Sequence, residues 1–137
     1  MPARVAVSMP AAAEALRKAA MLACAGVAAA ALLPPAWCVL VVVAPWAEEA
    51  VFRAGVQESL VRRLSGLIVA APLVANVLAS LAFAAVHVAI RGQAAAWAVL
   101  LPALLIGAVY QQRRRIGACV ALHAICNLSW LRAGGAP

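Results

Sequence analysis

The chain has 137 residues, 68% of them hydrophobic and 11% charged, with a mean hydropathy of +1.03. A soluble domain is nearer half apolar and about a quarter charged, so these values exclude an ordinary water-soluble globule. The formal net charge is +7, but the basic residues fall between apolar runs rather than along one polar face. That pattern orients a membrane protein and excludes nucleic acid as the partner.

The reading is therefore an all-α, polytopic integral membrane helix bundle. Residues 1–137 form a single membrane domain with about five membrane segments. Ser8-Met9-Pro10 opens a first helix, because Ser caps and Pro suits the first turn. An apolar run from Ala19 to Leu33 follows and stops at Pro34-Pro35. Arg17 and Lys18 precede it, yet it reads as a membrane helix and not as a cleaved leader. A second run goes from about Trp37 to Leu64, with a kink expected at Pro45. It is either one kinked crossing or a half-helix followed by an amphipathic piece. A third goes from about Gly66 to Ile90, with Pro72 perturbing its first part, and Arg91-Gly92 breaks it. A fourth spans Ala94 to Tyr110 and ends at Arg113-Arg114-Arg115. A fifth, shorter run spans Ile116 to Leu131.

With the N-terminus in the cytoplasm, five crossings place Arg4, Arg17, Lys18, Arg62, Arg63 and Arg113 to Arg115 inside, and Arg91 and Arg132 outside. This is the asymmetry of the positive-inside rule, and Trp37, Trp97 and Trp130 fall at the outer ends as interfacial rings should. Cys24, Cys38, Cys119 and Cys126 have no CxxC spacing and lie in apolar runs, where Cys is a small hydrophobe.

Solvation by lipid explains most of the chain but leaves Glu48, Glu49, Arg53, His87, His123 and Asn127 unexplained. A charge at a membrane-helix centre costs roughly 2.5–3.5 kcal/mol on insertion scales, so such residues face a bundle interior or a wet cavity. Glu49 and Arg53 are four apart and share a face, which makes them a neutralising pair. Phe83 and His87 are four apart, and so are His123 and Asn127. Glu48 and Phe52 share a face about 100° round from Glu49. Three helices thus each turn a polar face to a common interior. Glu58, Arg62 and Arg63 read as a solvated helix end. Gln57, Asn76, Gln111 and Gln112 carry little signal, and Phe52 and Phe83 read as packing.

A carboxylate beside a neutral imidazole can take a proton from water. A second histidine with an amide one turn on can donate hydrogen bonds to a developing oxyanion. Together these are the parts of amide hydrolysis. Two His and one Glu can also hold zinc with an open position for water, so a metal route stays open. An aspartic mechanism is excluded because the chain has no Asp. HExxH is absent, and Ser59, Ser65, Ser80 and Ser129 lack the turn that a serine nucleophile needs. A non-catalytic immunity or scaffold protein is a competing reading. So is a proton pathway, although the polar set is compact and not strung across the membrane.

Glu48-Glu49-Ala-Val-Phe-Arg53 matches EExxxR, Phe83-Ala-Ala-Val-His87 matches FxxxH, and His123-Ala-Ile-Cys-Asn127 matches HxxxN. In order and separation these motifs resemble the CPBP family of glutamic-type intramembrane proteases, which includes Rce1-like CAAX prenyl endopeptidases and bacteriocin-processing or immunity proteins. The resemblance covers about residues 45–130 and implies an Rce1-like catalytic core. It implies that Glu48 with His87 activates water, that His123 and Asn127 form the oxyanion hole, and that Glu49 and Arg53 support them. It implies no cofactor, with Zn²⁺ as the alternative. The partners it implies are membrane lipid and a membrane-anchored protein or peptide, cut at a C-terminal sorting signal, a prenylated-type end or a leader. The Ala/Arg-rich, nearly Lys-free composition places the chain in a bacterial inner membrane. The same topology sets His87 near the outer face with Glu48 and His123 deeper.

Overall fold

A computed structural model of the chain describes residues 34–135. The expected first membrane helix, its opener at Ser8-Met9-Pro10 and Cys24 lie outside the described residues. The chain divides into two compact units, Met1–Cys38 and Val39–Pro137. Within the described residues the secondary structure is helical, without strands.

Helix α1 runs from Pro35 to Leu64, 30 residues without a break. It is one continuous helix, not two pieces. Its backbone widens into π-helical turns over Val39–Val43 and Ala50–Gln57. The first of these precedes Pro45, which has no N–H to give to the preceding turn, and the chain passes the proline without ending the helix. Helix α2 spans Ala71–Arg91, later than the expected start near Gly66. Residues 65–70 instead form a turn. Pro72 therefore lies in the first turn of α2, where its missing N–H costs nothing, and does not disturb the helix body. Helix α3 spans Ala94–Arg113, opening as a 3₁₀ segment over Ala94–Val99. Helix α4 spans Ile116–Arg132.

Helices α1, α2 and α3 are long and apolar enough to cross a membrane, and α4 is a shorter apolar helix. Their packing reverses the usual distribution of polarity. Leu67, Ile90 and Leu101 are mostly exposed, whereas the largest fully buried side chains are Arg53, Gln57 and Glu49. The helices meet through small residues, with Ala75, Ala79, Ala84 and Ala103 buried at their contacts, as expected where lipid removes the hydrophobic drive and close backbone approach supplies the contact. A compact apolar cluster of Ile106, Tyr110, Cys119 and Leu122 joins α3 to α4.

The ends are fastened by polar contacts. The side-chain amide of Gln111 donates to the Pro72 carbonyl, tying α3 to α2. Glu58 pairs with Arg114 and, at 3.8 Å, with Arg62. The expected solvated end of α1 is thus also a tether to the α3–α4 turn. Gly92 ends α2 in the left-handed conformation, φ 65°, where its N–H bonds the Val88 carbonyl. A side chain in that conformation costs roughly 1–2 kcal/mol. Gly92→Ala is expected to lower stability by about 1 kcal/mol, read as a reduced midpoint of thermal unfolding in detergent.

Candidate active site

The site is built outward from α1. Glu49, Arg53 and Gln57 follow one another at four-residue spacing, and none is exposed to any degree. Arg53 Nε donates to Glu49 Oε2 at 2.9 Å, so the expected neutralising pair is present. The rest of the guanidinium is also satisfied. Nη2 donates to the Ala103 carbonyl at 2.9 Å, and Nη1 reaches Gln57 Oε1 at 3.2 Å and Ser80 Oγ at 3.4 Å. Gln57 passes the network on by donating to the Gly107 carbonyl at 3.0 Å. From α2, Ser80 Oγ donates to Asn76 Oδ1, and Asn76 Nδ2 donates to the Leu104 carbonyl at 3.0 Å.

Gln57, Asn76 and Ser80 were not singled out by the sequence reading, yet they hold the only buried cation among the described residues. Their signal was spacing. Gln57 extends the Glu49–Arg53 face by one turn, and Asn76 and Ser80 are four apart on the helix that carries His87.

The other oxygen of Glu49 is equally committed. His123 Nδ1 lies 2.8 Å from Glu49 Oε1, and because a carboxylate can only accept, Nδ1 carries the hydrogen. The opposite ring nitrogen, Nε2, lies 3.5 Å from Glu48 Oε2. That oxygen is itself buried and makes no hydrogen bond to the described residues. His123 therefore stands between two carboxylates, one at each nitrogen. Glu49, expected to serve Arg53, also orients this imidazole, as the third member of a catalytic triad does.

His87 is held differently. Its Nδ1 lies 3.0 Å from the Phe83 carbonyl, which must accept, so Nδ1–H is the donor and Nε2 keeps its lone pair. Phe83 does more than pack. Its ring contacts His87 at 4.2 Å between centroids, His123 at 5.8 Å and Phe52 at 5.1 Å, edge-on to the last two. It thereby fixes the attitude of both imidazoles. Asn127 Nδ2 donates to the Leu40 carbonyl at 2.8 Å, which leaves its second N–H for another acceptor.

Glu48, His87, His123 and Asn127 line one cavity of about 50 Å³. A water molecule needs roughly 10–15 Å³ of such space and two or more polar partners, so the cavity suits water. Leu40, Ala44 and Leu131 complete its wall, so the site reaches slightly past the expected limits of 45–130. A second, larger cavity of about 220 Å³ shares His87, Arg91, His123, Asn127 and Trp130 with the first, and α3 walls it with Ala95, Ala98, Val99 and Pro102. A zinc site needs three His, Cys, Asp or Glu donors converging on one point. No three His, Cys, Asp or Glu side chains among the described residues are grouped to hold a metal ion, and His123 turns both nitrogens to carboxylates. The donor set does not fit zinc.

The family of Type II CAAX prenyl endopeptidases, Rce1-like, has a sequence model that matches residues 17–129. The chain belongs to this family. No curated protein and no solved structure gives a match. As an Rce1-like chain it is an integral membrane protein of the CAAX-type intramembrane endopeptidase class, with a lipid environment and a protein or peptide as substrate.

The network also constrains α3 of this Rce1-like chain. A Cβ on Gly107 would lie 1.8 Å from Asn76 Oδ1 and 2.9 Å from Arg53 Nη1, whereas one on Gly117 meets nothing within 4 Å. Gly107→Ala is expected to destabilise the protein by about 1–3 kcal/mol through overpacking. Gly117→Ala is expected to be neutral or slightly stabilising. Thermal unfolding of the two variants side by side checks the difference.

Proposed function

We propose that this chain is a glutamic-type, metal-independent endopeptidase that cuts a peptide bond in or near a membrane-associated substrate. One observation carries the reading: four polar side chains from three helices border a single water-sized cavity. Glu48 is the base. Its Oε2, free of other hydrogen bonds among the described residues, takes a proton from water, and the His87 Nε2 lone pair holds the water's other hydrogen. The resulting hydroxide adds to the substrate carbonyl, and Asn127 and His123 donate to the oxygen on which charge develops. Glu49 and Arg53 act through His123 and are positioning residues. Residues 45–130 form the catalytic core of a single membrane domain.

The substrate is a C-terminal sorting signal, a prenylated-type end or a leader peptide. On its α3 side the larger cavity is walled by Ala95, Ala98, Val99 and Pro102, which supports an apolar segment lying against α3. Arg91 and Trp130 border both cavities. In the positive-inside reading, with the N-terminus in the cytoplasm of a bacterium, these two residues lie toward the outer face of the inner membrane, which favours entry from that side.

Glu48→Gln and His87→Ala are expected to lower cleavage of a membrane-anchored peptide by roughly 10²–10⁴-fold, with the unfolding midpoint kept within a few degrees. Retained cleavage in Glu48→Gln would favour a scaffold or immunity role instead. Exhaustive chelation is expected to leave the rate unchanged; loss with EDTA and recovery with Zn²⁺ would overturn the metal-free mechanism.

A further inference from the structure

The Asn127 amide is anchored by a backbone carbonyl that a regular helix would not offer. Its Nδ2 donates from α4 to the Leu40 carbonyl of α1 at 2.8 Å. Leu40 lies within α1, where each carbonyl is ordinarily taken by an N–H of the following turn. The turn over Val39–Val43 is π-helical, so the carbonyl of residue i accepts from residue i+5. Ala44 then answers Val39, and the partner due to Leu40 is residue 45. That residue is proline and has no N–H. The same ring accounts for the widened turn, because a proline collides with the carbonyl four residues back, here that of Val41. Pro45 is fully buried, at the head of the face that continues through Glu49, Arg53 and Gln57. Its ring therefore faces the bundle, whereas Val39, Val42 and Val43 are exposed. A proline persists inside a membrane helix where a neighbouring helix satisfies the group it frees. Here that neighbour is α4, and Asn127 supplies the donor.

We propose that Pro45 is a positioning residue for the oxyanion hole: by withholding an N–H from Leu40, it creates the acceptor that aims the Asn127 amide. This rests on the endopeptidase reading, in which Asn127 donates to the oxygen that gains charge. The two N–H bonds of an amide nitrogen lie in one plane at a fixed angle. Tying one of them to Leu40 therefore sets the direction of the other. Leu40, Glu48 and Asn127 border the same cavity, so the second N–H is aimed into the space where Glu48 activates water. One stretch of α1, from Leu40 to Glu48, thereby supplies the base and directs the donor on α4.

The test is Pro45→Ala, which returns an N–H to the position due to Leu40 and sets it in competition with Asn127. The substrate is a lipid-anchored, internally quenched peptide. Loss of aim is expected to lower kcat by roughly 10–10²-fold, approaching the loss from removing the donor itself. KM is expected to stay within about threefold, as for an interaction made only in the transition state. Taking a proline out of a helix interior is stabilising in itself, so the unfolding midpoint is expected to hold or rise. A slower enzyme that is no less stable is not what a packing role gives. A lower midpoint with kcat unchanged would overturn the proposal. Asn127→Ala is expected to lower kcat by roughly 10²–10³-fold. Adding Pro45→Ala to it is expected to cost less than about threefold more, because the effect of Pro45 passes through Asn127. The full Pro45→Ala loss on top of Asn127→Ala would overturn the proposal. Side-chain amide NMR of the unmodified protein needs neither a variant nor a substrate. One Asn127 Nδ2 proton is expected to exchange slowly with water, and to lose that protection in Pro45→Ala; fast exchange of both protons in the unmodified protein would overturn the proposal. A protected Asn127 amide in an unmodified protein that cleaves no peptide would overturn the endopeptidase reading instead.

Discussion

The guanidinium of Arg53 is the constraint around which the bundle is organised. It is fully buried between helices whose outer faces are oily, and an unanswered charge there would be prohibitively expensive. Its partners are a carboxylate on its own helix, a carbonyl on α3 and a hydroxyl on α2. Satisfying one cation therefore fixes the spacing of three helices. Arginine suits this task where lysine would not, because its donors form a rigid planar fork that reaches several acceptors at once. The small residues follow from the same demand. Ala103 and Gly107 let the α3 backbone come close enough for its carbonyls to accept from α1 side chains.

The site inherits its geometry from that arrangement. Glu49 is held by Arg53 on one oxygen and holds His123 with the other, so the position of an imidazole on α4 is set by the satisfied cation on α1. Two similar imidazoles meet different Nδ1 partners, a carbonyl for His87 and a carboxylate for His123.

The separate motifs were legible because each is a charge or an imidazole at helical spacing in a lipid-solvated chain, where such residues have no other reason to persist. The helix ends of α3 and α4 were legible for a related reason, since arginines and glycine interrupt apolar runs. What escaped was cheaper chemistry. Gln57, Asn76 and Ser80 are uncharged, and neutral polar side chains are common enough in helices that their type alone carries no weight. Their importance appears only once Arg53 is seen to need more acceptors than Glu49 supplies. The expectation for Pro72 went astray for a local reason. A proline disturbs a helix body but suits its first turn, and the turn over residues 65–70 moved Pro72 from the one setting to the other. Pro45 sits beyond a π-helical turn that the apolar pattern does not announce.

A chain with four acidic residues places two of them side by side, and the imidazole of His123 explains why. Its two nitrogens lie on opposite sides of a small ring, so a carboxylate at each must approach from two directions. Neighbours on a helix diverge by about 100°, and Glu48 and Glu49 use that divergence to straddle the ring, at 3.5 Å from Nε2 and 2.8 Å from Nδ1. Acids four apart would stack on one face and compete for one nitrogen. The adjacency also separates their duties. The face of Glu49 continues into Arg53 and Gln57 and is spent on holding the bundle, while the face of Glu48 turns to the cavity with one oxygen uncommitted. One carboxylate is thereby neutralised by Arg53 while its neighbour keeps an oxygen without a hydrogen bond among the described residues, a division of commitments within two consecutive residues.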